Sequence, residues 1–488
     1  MLPTPRMLLS CNPRTDEPVG EVAAADSAAV ATAVRGVRAA APAWAALDTA
    51  ARRRNLDRWR RIMARRSGEL RRLLAEEAGK APADALLEFD LVLHHLQWAA
   101  ANARRVLAPR RVGSGSMMLG HRSTLIRRPY GVVGVIGPWN YPVYTPMGSI
   151  AYALATGNAV VFKPSEYTPL TGAWLAETFA EAVPDHPVLV CVHGGGETGA
   201  ALVAAGVDKL AFTGSAGTGR KVMAACAESL TPVLMELGGK DSAIVDADAD
   251  LEAAADAIVW GGLMNSGQTC AGVERVYVVG DVYDRMLALI ADRAEKLTAG
   301  VEYGAIAMPG QIDVIARHID AALADGGRAV VGGRESVRPP FVDPVVLADV
   351  PETSEAVQSE TFGPVLVVNR VTDLQEAIDR TNASRYALGA AVFGKRRARW
   401  AASRLRGGMV AVNGVVDFGA VPGLPFGGNG ASGFGRIHGI PGLEEFTTCT
   451  SITEKRFRLP IRPQRFGRNA LDLRALELLL MRHRRGRG

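Results

Sequence analysis

Long apolar runs are missing from this chain. No stretch approaches the roughly 20 apolar residues that a membrane span needs, and Met1 to Arg14 lacks the apolar run of a secretory signal. Cysteine is scarce and odd in number: Cys11, Cys191, Cys226, Cys270 and Cys449, with no CxxC and no zinc spacing among them. That argues against a disulfide framework and against any metal site, and makes a reducing cytoplasm the expected location. One-signed charge is also missing from the body. Residues 455–488 hold eleven Lys or Arg against Asp472 and Glu477, which more than accounts for the net charge of +6. The preceding chain is slightly acidic, so a nucleic-acid-binding body is not indicated.

Glycine is plentiful. The 53 glycines cluster in runs such as Gly194-Gly195-Gly196 and Gly238-Gly239, the pattern of tight turns and close approach to ligands. At 488 residues the chain exceeds one ordinary core, so two or three domains are expected. Residues 26–108 are rich in Ala, Leu and Arg, with apolar residues at helical spacing through Trp59, Ile62, Leu70 and Leu74. That predicts helices, broken at Gly79-Lys80-Ala81-Pro82. From residue 131 short apolar runs alternate with helical stretches: Val132–Ile136, Ala159–Phe162, Val188–Val192, Lys209–Phe212 and Pro232–Met235. A second set is expected near 242–245, 275–279, 329–331, 363–371, 388–393 and 409–413. Such alternation predicts an α/β protein with largely parallel sheets.

Four constellations carry chemistry. Asn265-Ser266-Gly267-Gln268-Thr269-Cys270 places a cysteine in a polar loop between a helix and a strand, where a thiol can be exposed and ionised; most lone cysteines are nevertheless inert. Glu236 ends an apolar strand just before Gly238-Gly239, where open α/β sheets bind ligands, and a carboxylate there can act as general base. A strand-end Glu more commonly caps or pairs with a Lys. Phe212-Thr213-Gly214-Ser215-Ala216-Gly217-Thr218-Gly219 runs from a strand into a glycine-rich turn and a helix expected from about Arg220, a place for a pyrophosphate. Its spacing is not GxGxxG. Pro138-Trp139-Asn140-Tyr141-Pro142 fixes an amide that can serve an oxyanion or merely cap a helix.

Together these segments resemble the aldehyde dehydrogenase superfamily, from Asn12-Pro13 through Glu77-Ala78-Gly79-Lys80 to about Ser451. PWN stands at 138–140, KPSE at 163–166, FTGS at 212–215, ELGGK at 236–240, NSGQTC at 265–270, ETFGP at 360–364, PFGG at 425–428 and SGxGR at 432–436. The resemblance implies Cys270 as nucleophile, Glu236 as general base, and the Asn140 amide with the Cys270 N–H as oxyanion hole. It puts Lys163 and Glu166 on the adenosine ribose, and Gly214, Ser215 and Gly219 on the pyrophosphate. Glu360 would take the nicotinamide ribose and Phe362 the nicotinamide, with Trp139, Ser165 and Leu237 also on the cofactor. Glu166 favours NAD over NADP, because a 2′-phosphate beside it would be repelled.

The expected architecture is a Rossmann-type cofactor domain (1–112 and 130–238), an α/β catalytic domain (239–443), an oligomerisation arm (113–129 and 444–458) and a basic, apolar tail (459–488). The arm implies a homodimer or homotetramer. The expected reaction is NAD(P)-dependent oxidation of an aldehyde to a carboxylic acid. Tyr141, Tyr144, Met147, Met264 and Phe418 would make an apolar mouth, unless they are simply core. That mouth favours fatty or aromatic aldehydes over succinate semialdehyde, the alternative. Transfer of the acyl group to coenzyme A is disfavoured by Glu236. Three positions depart from the family's common pattern: Ser149, Asp241-Ser242 and Asn429-Gly430. The first and third resemble the branch handling fatty and aromatic aldehydes, while Ala271-Gly272-Val273-Glu274-Arg275 resembles other branches. In the tail, the apolar run Leu471–Met481 between basic stretches is expected either to touch a membrane surface peripherally or to dock as a helix on a partner subunit.

Overall fold

A computed structural model of the chain describes residues 6–115, 118–458 and 466–484. Four helices open it: Ser27–Ala46, Thr49–Arg65, Ser67–Glu77 and Pro82–Leu107. Asp26 and Asp48 start the first two by accepting the N–H groups of Ala29 and Ala51, satisfying donors that a helix start leaves without partners. Pro82 sits in the first turn of the fourth, where its missing N–H costs nothing. Their apolar stripes, with Trp44, Leu56, Trp59 and Leu74 wholly buried, pack against the first sheet and its helices.

That sheet has six strands in the order Leu189–Cys191, Ala159–Lys163, Val132–Ile136, Lys209–Thr213, Val233–Glu236 and Gly433–Phe434. All its pairs are parallel except the last. Val132–Ile136 and Ala159–Lys163 are buried at every position, as strands covered on both faces by helices must be. Five residues beyond Glu236, at Asp241, the chain enters a second sheet. Its seven strands run Arg328–Val331, Val345–Ala348, Val365–Val371, Val273–Val279, Asp241–Val245, Gly389–Phe393 and Met409–Val412. Only the edge pair Arg328–Val331 with Val345–Ala348 is antiparallel. A third sheet pairs His121–Pro129 with Thr447–Lys455 on one side and Arg110–Val112 on the other.

The fold is thus α/β, as the alternation predicts, with local differences. The strand Val345–Ala348 lacks a counterpart in the expected set; it follows Pro339, Pro340 and Pro344, whose turn signals mask it. The helix expected from about Arg220 begins at Ala216, because Ser215 caps it by accepting the Thr218 N–H. Among the described residues no helix is long and apolar enough to cross a membrane. The helix Ala470–Arg484 leaves Leu471, Leu473, Leu478, Leu480 and Met481 exposed. The expectations for residues 459–465 and 485–488 fall outside the described residues.

Candidate active site

The polar loop before Cys270 is not solvated. Asn265, Ser266 and Gly267 take consecutive positive φ values of 52°, 61° and 70°, a costly run for two non-glycine residues. Hydrogen bonds hold it: Asn265 Nδ2 donates to the carbonyls of Asn140 (3.1 Å) and Gln268 (3.2 Å), Ser266 Oγ to that of Gly304, and the Ala307 N–H to Gln268 Oε1. A side chain at position 267 would strike the Gly363 carbonyl at 2.1 Å. The expectation of an exposed loop is therefore corrected for residues 265–269, which are buried, while Cys270 itself lines the cavity. Cys270 is only half-exposed, and burial pushes its thiol upward, helped by the Glu236, Glu360 and Asp241 carboxylates. Polarity in this loop serves internal hydrogen bonding, which the composition could not distinguish from solvation.

Asn140 lies against this loop. Its amide donates one hydrogen to the Gln268 carbonyl at 2.9 Å, and the amide carries a second N–H. Glu236 sits at the end of its strand with 4% exposure, and its Oε1 finds no hydrogen-bond partner among the described residues. Desolvation raises it well above the carboxylate range, against the pull of Arg436. A buried carboxyl without partners is costly, and such groups cluster where proton transfer is the task.

Gly238 and Gly239 let the Glu360 carboxylate and the Cys270 carbonyl close on the backbone. The Glu360 carboxylate accepts the Gly239 N–H at 2.8 Å and is pushed up to about 8 by burial, then by Glu274. Glu274, which the sequence did not single out, accepts the N–H groups of Thr361 and Phe362 and pairs with buried Lys240. It thereby sets Phe362, at φ 53°, edge-on to Trp139 with ring centroids 5.4 Å apart.

These groups line one cavity of about 740 Å³. Its walls bring together Trp139, Asn140, Lys163, Ser165, Glu166, Gly214, Ser215, Glu236, Leu237, Cys270, Glu360 and Phe362. Gly219 stands behind the wall, where a Cβ would meet Leu237 at 2.7 Å. Sequence reasoning missed Lys221 and Gln311, which also line it. Lys221 was findable from the helix after the glycine turn; Gln311 comes from a distant helix with no local signal. Of the expected mouth residues, Tyr141 and Tyr144 are half-buried and hydrogen-bonded to Thr269 and the Gly419 carbonyl, whereas Met147, Met264 and Phe418 are buried in the core.

The cavity fits a dinucleotide. The Lys163 ammonium and Glu166 Oε2 stand 3.7 Å apart, a donor and an acceptor spaced to share a vicinal diol. The capped start of the helix at Ala216 offers N–H groups and a positive dipole end to a diphosphate. Gly196, with no atom within 4 Å of its would-be Cβ, leaves the wall open. Two α/β units meeting at such a cavity around a cysteine define a dinucleotide-dependent oxidoreductase.

Comparison with known proteins agrees. A family model for the aldehyde dehydrogenase family matches residues 3–452, and the chain belongs to that family; it is an NAD(P)-dependent enzyme of that kind. It is 37% identical to a 4,4'-diapolycopene aldehyde oxidase of Methylomonas sp, over 89% of this chain and 83% of that one. It is also 37% identical to a betaine aldehyde dehydrogenase of Cereibacter sphaeroides, over 90% and 92%. Among solved structures, an indole-3-acetaldehyde dehydrogenase in complex with NAD+ superposes with a TM-score of 0.88 at 30% identity, covering 92% of this chain and 93% of that one.

Proposed function

We propose that this chain oxidises an apolar aldehyde, fatty or aromatic, to its carboxylic acid with NAD as preferred oxidant, through a thioester on Cys270 that water cleaves with Glu236 as general base. One observation carries the reading: the Cys270 thiol, the Glu236 carboxylate and the Asn140 amide come from three separate elements to one cavity. The Cys270 thiolate bonds to the aldehyde carbon and the carbonyl electron pair moves onto oxygen. Asn140 Nδ2 and the Cys270 N–H receive that oxyanion, each such donor being worth about 3–4 kcal/mol. Bound NAD supplies the acceptor for the hydride that leaves the carbon. With the hydride gone, the carbonyl re-forms as a thioester on Cys270. Glu236 takes a proton from water as the water oxygen attacks that carbon, and the sulfur departs as thiolate. Glu236 is also what disfavours transfer to coenzyme A.

In this reading Lys163 and Glu166 hold the adenosine ribose, Gly214, Ser215 and Gly219 the diphosphate, Glu360 the nicotinamide ribose and Phe362 the nicotinamide, with Trp139, Ser165 and Leu237 on the same ligand. Residues 1–112 with 130–238 form the cofactor domain, 239–443 the catalytic domain, and 113–129 with 444–458 an arm that pairs subunits in a dimer or tetramer. The arm reading is supported by its open edge strand, Thr447–Lys455; a monomer by light scattering would remove it. The exposed leucines of the helix Ala470–Arg484, in a tail rich in arginine, support peripheral contact of a cytoplasmic enzyme with an anionic membrane. Equal pelleting of the full chain and residues 1–458 with anionic liposomes counts against that contact.

An apolar substrate is supported by the half-buried Tyr141 and Tyr144 beside the Cys270 loop and by the name of the Methylomonas relative. Succinate semialdehyde, named for a relative of Mycolicibacterium smegmatis at 34% identity, is the alternative. The test is NADH formation over short, long, aromatic and semialdehyde substrates, with Cys270→Ser in parallel. The reading expects activity lost in the variant and highest on long or aromatic aldehydes. Equal activity of the variant sinks the thioester, and preference for succinate semialdehyde sinks the substrate class.

A further inference from the structure

Three charged residues spaced four apart gather around the start of the helix Pro82–Leu107: Lys80 just before it, and Asp84 and Glu88 on one face of its first turns. From the sequence Gly79-Lys80-Ala81-Pro82 reads as a helix break and Glu77-Ala78-Gly79-Lys80 as part of the family resemblance, with no role for either. In the structure Lys80 and Glu88 have no exposed side-chain surface, and the ammonium lies 3.0 Å from Glu88 Oε2. The same ammonium sits 3.9 Å from the centroid of the Tyr141 ring. The other oxygen, Glu88 Oε1, accepts the N–H of Val143 at 2.9 Å and that of Tyr144 at 3.0 Å. Asp84 Oδ2 accepts the N–H of Asn265 at 3.1 Å. The first pair of contacts falls three and four residues after Asn140; the last falls five residues before Cys270.

We infer that Glu88, held by Lys80, is a positioning residue that sets the Asn140 turn against the Cys270 loop, so that the oxyanion-hole amide meets the thiol in register. This rests on the proposed roles of Cys270 and Asn140. A buried ion pair is poor value as a source of stability, since desolvation commonly cancels its attraction. What this pair does supply is a rigid acceptor for two adjacent N–H groups at the start of the helix Tyr144–Thr156. Asp84, one turn away on the same rigid helix, holds the other loop. The two loops also touch each other through Asn265 Nδ2 and the Asn140 carbonyl, so a single helix face and one cross-link determine their relative placement. Reaction geometry is unforgiving: about 1 Å of misplacement can cost about a hundredfold in rate.

Two double variants separate positioning from stability, because both remove the buried Lys80–Glu88 pair together and strand neither partner, while Asp84 keeps its hydrogen bond from the Asn265 N–H. In Lys80→Met/Glu88→Gln the amide oxygen still accepts from Val143 and Tyr144; in Lys80→Met/Glu88→Leu nothing does. The NADH burst is followed by stopped flow at saturating NAD and aldehyde in a Glu236→Gln background, where slow thioester hydrolysis preserves the burst, with NAD affinity measured by protein fluorescence. Burst amplitude counts intact sites, and burst rate reports their geometry. The Leu variant is expected to keep its amplitude and its NAD affinity while its burst rate falls by about a hundredfold. The Gln variant is expected to recover most of that rate. A native burst rate in the Leu variant overturns the inference, as does loss of amplitude at unchanged rate, which is the mark of a purely structural role. Full activity of Cys270→Ser would instead overturn the thioester reading, so the two failures are distinct.

Discussion

A methyl group at Gly239 would stand 2.3 Å from the carbonyl oxygen of Cys270 and 2.9 Å from Asp241 Oδ1. A carbon reaches a carbonyl oxygen comfortably only at about 3.3 Å, so Gly239→Ala demands about 1 Å of movement. The obstructing atom is backbone, one residue before the buried Ala271, and it cannot rotate aside as a side chain would. Overpacking of this kind costs about 1–3 kcal/mol of stability, while a displaced nucleophile costs about a hundredfold in kcat. Gly238 provides the contrast. Its added methyl would meet Glu360 Oε2 at 2.2 Å, the free end of a side chain, which can swing away at little cost in stability. Gly238→Ala should therefore act through Glu360, raising the KM for NAD more than it lowers kcat. Steady-state kinetics for both variants, with fluorescence titration of NAD, make the comparison. Native kcat in Gly239→Ala, or a larger kcat loss in Gly238→Ala, would refute the reasoning.

Glu236→Gln should form the thioester but not hydrolyse it, giving about one NADH per site and then turnover slower by about 10²–10⁴-fold; native steady-state turnover would contradict the assigned role. Burial raises both Cys270 and Glu236, so kcat/KM should climb with pH through neutrality into the alkaline range, and a plateau already reached at pH 6 would count against it. His95 is held down to about 4 by burial, so its unfolded form binds a proton from about pH 6.5 downward while the folded form does not. Stability is therefore lost as pH falls across that window, by about 2 kcal/mol per such histidine at pH 5. His95→Phe should flatten the change in urea midpoint between pH 7 and 5 by that amount, and an unchanged slope would reject the assignment. Glu166→Ala should shift kcat/KM toward NADP by about tenfold, within the ~1–4 kcal/mol of a like-charge contact at 4 Å; an unaltered NADP-to-NAD ratio would show that Glu166 does not face the 2′ position.

Much of the architecture is legible in the residues. The strand Val132–Ile136 was expected with the same bounds it has in the structure, because a continuous apolar run bracketed by glycines admits few other conformations. Val345–Ala348 was not, since a short strand among prolines carries a turn signature as strong as its own. Gly214 and Ser215 line the cavity beside Lys163 and Glu166, as the glycine-rich turn and KPSE suggested, because strand ends and helix starts leave local marks.

What the sequence determined by itself was local chemistry: which segments are strands, which turns need glycine, and which cysteine, glutamate and asparagine stand at the ends of elements. The tertiary structure alone decided their environment. It buried the loop before Cys270 instead of solvating it, left Glu236 Oε1 without a hydrogen-bond partner among the described residues, and folded the Glu360 carboxylate onto Gly239. It also brought Asp84 and Glu88, with Lys80, beneath two loops whose bonded N–H groups follow them by 55 to 181 residues. The reason is physical. Backbone conformation responds to neighbours along the chain, whereas desolvation and hydrogen-bond partnership depend on groups brought close only when the two sheets and the first helices close around the cavity.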